Sequence, residues 1–85
     1  MQSNKSNITS TTLIAQIQKA LENLQNQKNL GHIYQINTVM LDGSQQTLTN
    51  LQYIDSLNSN IQVLLSALGN GTIVPSKIIN FSINN

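Results

Sequence analysis

Of the 85 residues, 39 are Asn, Gln, Ser or Thr and only 7 carry a formal charge, for a net charge of +1. One His, one Glu, two Asp, four Lys and no Cys or Arg leave few groups that exchange protons or hold a metal near neutral pH, so the composition argues against an enzyme, a cofactor and a metal centre. Lys5, Lys19, Lys28 and Lys77 are too scattered to release counterions from a nucleic acid, and no window approaches the ~20 apolar residues of a membrane span.

Residues 1–10 are polar and read as a flexible arm. They contain no continuous apolar stretch like that of a signal peptide, so a soluble product is expected. The remainder, 11–85, is expected to form one small domain. From Thr12 to Asn29 the apolar residues Leu13, Ile14, Ile17, Ala20, Leu21 and Leu24 recur at spacings of three and four, the stripe of an amphipathic helix. Thr11 or Thr12 suits its start, Lys28 the negative end of its dipole, and Gly31 a left-handed C-terminal cap.

Ile33 to Leu41 is rich in β-branched and aromatic residues and runs into Asp42-Gly43, which predicts a two-residue hairpin turn and a hairpin over 33–48. Thr49-Asn50-Leu51-Gln52 fits a capping box, and a helix over 49–69 follows, closed by Gly69. Beyond Gly71 the chain reads as extended over 72–83, interrupted by Pro75, with Ile79, Phe81 and Ile83 alternating as on a strand with one covered face. The fold class is therefore α+β, two amphipathic helices flanking a short β-hairpin.

The candidate chemical groups reduce to structural roles. His32 has no partner in the sequence for a metal or a nucleophile and reads as a capping or surface residue. Asp42 is used by the turn, while Glu22 and Asp55 fall on the outer sides of separate helices, which leaves no carboxylate pair. Gly69-Asn70-Gly71-Thr72 follows a helix, whereas a phosphate loop precedes one. Tyr34, Tyr53 and Phe81 are too dispersed to stack bases. Asn4, Asn7, Asn70 and Asn80 each begin a glycosylation tripeptide, a frequent coincidence in a chain so rich in Asn, Ser and Thr, and Asn70-Gly71 reads first as a turn.

The second helix carries the functional expectation. Leu51, Ile54, Leu57, Ile61, Leu64, Leu65 and Leu68 form a stripe wider than one short partner helix would cover. The stripe could face the first helix and the strands of its own chain. A bundle of copies would hide the excess, and alternating Ile and Leu is common along a parallel coiled-coil seam. The flanking Asp55, Ser56, Asn58, Asn60, Gln62 and Ser66 lack the opposed charges that select a different partner, so a homo-oligomer, dimer or trimer, is the simpler expectation. Small size points the same way, since a chain this short without disulfides or metal is marginal alone. Uncharged amides and hydroxyls are nearly indifferent to salt and pH, which suits a particle component. An A/T-rich genome would also enrich Asn and Ile, but it would raise Lys, which is scarce.

The stretch from Leu41-Asp42-Gly43-Ser44 through Thr49 to Gly69 ends in Ile61-x-x-Leu64-Leu65-x-x-Leu68-Gly69. It resembles modules in short virion proteins of tailed bacteriophages, of the head-fibre and decoration kinds. The resemblance covers about a third of the chain, which departs from those proteins in carrying a helix ahead of the module. It implies a non-enzymatic, self-assembling structural subunit that docks on a larger virion protein, assembled in the host cytoplasm. The alternative is a small adaptor or inhibitor that binds one protein through the apolar face of helix 49–69.

Overall fold

The computed structural model describes the backbone of residues 5–81 and the side chains of residues 11–81. In chain order it contains helix α1 (Lys5–Asn29), strands β1 (Gln35–Val39) and β2 (Gln45–Thr49), helix α2 (Asn50–Leu68) and a 3-10 turn (Pro75–Lys77). This is the α+β arrangement, a hairpin between two helices.

Helix α1 begins seven residues before the expected start at Thr12. Residues 5–10 thus continue the helix, and residues 1–4 of the expected arm lie outside the described residues. Once packing of Leu13 to Leu24 has nucleated the helix, each added residue gains a hydrogen bond, and Ser, Thr or Asn penalises that step by only a few tenths of a kcal/mol, roughly. Thr11 and Thr12 are therefore interior positions. The far end behaves as expected: Gly31 takes φ +82, its N–H donates to the Lys28 carbonyl at 2.9 Å, and the His32 N–H donates to the Gln27 carbonyl at 3.0 Å. These two bonds are the Schellman closure.

The hairpin pairs Gln35 with Thr49, Ile36 with Leu48 and Val39 with Gln45. Its loop differs from the expected two-residue turn. Met40 N–H donates to the Ser44 carbonyl at 2.8 Å and Gly43 N–H to the Met40 carbonyl at 2.9 Å, with Gly43 at φ +90. Three residues, Leu41 to Gly43, therefore form the loop, a tight turn followed by a left-handed glycine bulge. Asp42 makes the difference by accepting bonds from Ser44 N–H (2.9 Å) and Ser44 Oγ–H (2.6 Å), which draws the third residue into the bend.

Thr49 caps α2 as the capping box requires: Gln52 N–H donates to Thr49 Oγ1 at 3.1 Å and Thr49 N–H to Gln52 Oε1 at 2.9 Å. At the other end Gly69 is not left-handed; Asn70 is, at φ +94. Beyond it the chain is less regular than the expected extended run over 72–83. Pro75–Lys77 forms a 3-10 turn, and Ile79 makes a single antiparallel bridge to Met40, with Leu41 N–H donating to the Ile78 carbonyl (2.8 Å) and Asn80 N–H to the Val39 carbonyl (2.7 Å). Ile79 and Phe81 are buried on either side of half-buried Asn80, as the expected alternation has it, and Ile78 is buried as well. Ile83 lies outside the described residues.

Helix α2 is the central element, in contact with α1, β1 and β2. Ile14 and Ile17 from α1, Met40 after β1, Tyr53, Leu57, Ile61 and Leu64 from α2, and Ile79 and Phe81 from the C-terminal segment make one core.

Candidate functional site

The face expected to bind other copies divides in two. Ile54, Leu57, Ile61 and Leu64 are buried, Leu57 completely, under elements of the same chain. The stripe is wide because α1, the hairpin and the C-terminal segment share it, so its width alone does not require a bundle of copies. What remains at the surface is Leu51, which is half-buried, and Leu65 and Leu68, each 49% exposed and three residues apart on neighbouring turns.

The buried row of α2 also contains two amides that sequence reading placed outside the core or passed over. Asn50, Tyr53, Leu57, Asn60 and Leu64 follow one another at spacings of three and four, and all are buried. Asn50 Oδ1 accepts the Tyr34 N–H at 3.0 Å and its Nδ2 donates to the His32 carbonyl at 3.0 Å. Asn60 Oδ1 accepts the Ile79 N–H at 2.8 Å and its Nδ2 donates to the Lys77 carbonyl at 3.4 Å. Each amide thus holds a backbone segment that has no regular ladder of its own, and burial is affordable because the polar atoms are bonded. The signal in the sequence was their register with Tyr53, Leu57 and Leu64.

Most of the exposed large apolar side chains fall, along the chain, in the linker bonded to the start of α2 or in and after its last turns. At its start the linker tied down by Asn50 presents Leu30, Ile33 and Tyr34, with Ile33 67% exposed. At its finish stand Leu65 and Leu68, followed by Val74 in the next loop. Leu65 and Leu68 lie about 22–27 Å along the helix from Asn50 at 1.5 Å per residue. Leu41, at the hairpin tip, is the exception.

The remaining candidates serve local structure. His32 is exposed, and its Nδ1 lies 2.6 Å from Gln27 Oε1, within hydrogen-bond distance. Glu22 and Asp55 are exposed on separate helices. The Ser44 hydroxyl and N–H hold the Asp42 carboxyl below its ordinary pKa of 3.8. A shallow cleft of about 250 Å³ is lined, among the described residues, by Gln16, Lys19, Ala20 and Phe81. Among the described residues no three His, Asp or Glu are grouped to hold a metal, and no helix is long and apolar enough to cross a membrane. Tyr53 and Phe81 are core residues, whereas Tyr34 is exposed.

Comparison with protein-family models, with curated proteins and with solved structures finds no match to this chain.

Proposed function

We propose that the protein is a non-enzymatic structural subunit of a virus particle, a fibre, decoration or accessory component that associates with its own copies and docks on a larger virion protein. The observation that carries the reading is the pair of apolar groups at opposite ends of α2, Leu30, Ile33 and Tyr34 at one and Leu65, Leu68 and Val74 at the other. Two unlike apolar patches on one subunit suit head-to-tail association, which builds rings or filaments, whereas a single self-complementary patch builds a closed dimer. The polar surface around them is uncharged for the most part, so contacts between copies cost little desolvation.

The test is particle mass by light scattering over a concentration series. Growth with concentration is expected for the wild type, and loss of growth for Leu30→Ser/Ile33→Ser and for Leu65→Ser/Leu68→Ser, each with its melting temperature kept. Mixing the two variants should restore a dimer and nothing larger, because each retains the end the other lacks. A wild type that stays monomeric at every concentration would overturn self-assembly and favour the adaptor, a monomer binding one protein through the same surface. Mass spectrometry of particles sedimented from a lysed source culture tests the virion assignment, and absence of the chain from them would sink it.

A further inference from the structure

Helix α2 ends on the chain's one Asn-Gly pair, Asn70-Gly71. In such a pair the side-chain amide carbon is open to the next backbone nitrogen, since glycine has no Cβ to block the approach. Here that nitrogen is engaged. Gly71 N–H donates to the Ser66 carbonyl at 2.8 Å and Asn70 N–H to the Ala67 carbonyl at 3.4 Å, the two bonds of a Schellman closure with Asn70 in the left-handed position at φ +94. Gly71 also lies hard against the helix: a Cβ there would stand 2.2 Å from Ser66 Oγ and 2.9 Å from its carbonyl oxygen. The peptide between residues 70 and 71 therefore cannot turn its nitrogen toward the Asn70 side chain while the cap is closed.

We infer that Asn70-Gly71 is a spontaneous deamidation site whose reaction is gated by the C-terminal cap of α2. When the cap opens, Gly71 N bonds to Asn70 Cγ and the side-chain nitrogen leaves as ammonia, taking up the Gly71 proton. Water then opens the resulting succinimide at either carbonyl to give aspartyl or isoaspartyl. Water is the sole co-reactant and nothing is oxidised or reduced. Both products place a negative charge at the negative end of the helix dipole. The isoaspartyl product also lengthens the main chain by one methylene between residue 70 and Gly71, so the Gly71 N–H no longer falls in register with the Ser66 carbonyl. The modification is one-way, and it loosens the end of α2 that displays Leu65 and Leu68.

The experiment incubates the full-length protein in mildly alkaline buffer at physiological temperature, with and without enough urea to unfold it, and follows the amide-to-acid mass gain residue by residue. The folded chain should react at least about tenfold more slowly at Asn70 than the unfolded one, the ratio set by opening of a helix end. Equal rates would overturn the gating, and a faster gain at another asparagine in urea would overturn the assignment. Asn70→Gly retains the left-handed position and removes the amide, so the fast gain should vanish while the fold persists; its persistence would also overturn the assignment. Aged wild type enriched in isoaspartyl should melt below fresh wild type, whereas aged Asn70→Gly should not. Identical melting of aged and fresh wild type would rule out the loosening.

Discussion

Asn60 Oδ1 accepts the Ile79 N–H at 2.8 Å with both residues buried, so one amide of α2 fastens the C-terminal segment to the helix face. Without that bond the Ile79 N–H would be left in an apolar enclosure. Asn60→Ala should lower stability by about 1–3 kcal/mol, the cost of an unsatisfied buried donor. The exposed Asn58 is the control, and Asn58→Ala should change stability by about 0.5 kcal/mol or less. Urea unfolding of both variants checks this, and equal midpoints would show that the Asn60 bond contributes nothing.

Leu57 has no exposed surface, and Ile61 is 7% exposed beside it in the same core. Leu57→Ala should cost about 2–5 kcal/mol, the range for a buried leucine truncated to leave a cavity. Ile61→Asp would bury a carboxylate without a partner, and the isolated subunit should unfold at any concentration. A well-folded Ile61→Asp monomer by circular dichroism would mean that this face is covered by other copies instead of by its own chain.

Asp42 offers a test by pH. Its carboxyl is lowered from 3.8 because the ionised form accepts both Ser44 bonds. A carboxyl whose folded pKa is depressed contributes stability above its unfolded pKa, and that contribution is lost as the pH falls through the folded value. The melting temperature of the wild type should therefore fall on acidification below about pH 4 more steeply than that of Asp42→Asn, in which the group no longer titrates. Parallel curves for the two proteins would show that the turn gains nothing from the charge.

Assembly through apolar ends set in an uncharged surface predicts the response to salt. Raising the ionic strength to about 1 M shortens the screening length to ~3 Å, yet few charges are present to be screened, so association should persist or strengthen. Sedimentation at low and high salt measures this. Dissociation at high salt would identify a charge-steered contact.

Local chemistry was legible in the sequence wherever its cause lay within a few residues. The capping box of Thr49 and Gln52, the left-handed Gly31 and the apolar periods of α1 and α2 are each set by neighbours no more than a turn or two away, and the structure contains all of them. The start of α1 was not legible, because Ser, Thr and Asn crowd its first turns and any of several could serve as a cap. In the hairpin, Asp-Gly marked the turn, but Ser44, through its bonds to Asp42, decided that it has three residues.

The division between interior and surface belonged to the tertiary structure. Leu57 and Leu68 lie on the same side of α2 by periodicity, yet one is sealed and the other half-exposed, because the helix outlasts the elements that cover it. Asn60 and Asn58 are the same residue two positions apart, and only the backbone of Lys77 and Ile79, seventeen and nineteen residues beyond Asn60, makes Asn60 a core residue. A hydrogen-bond cap or a helical period is a short-range property written into adjacent residues. Burial is a property of what arrives from elsewhere in the chain, and for α2 three separate segments decide which part of its apolar stripe is sealed and which stays at the surface.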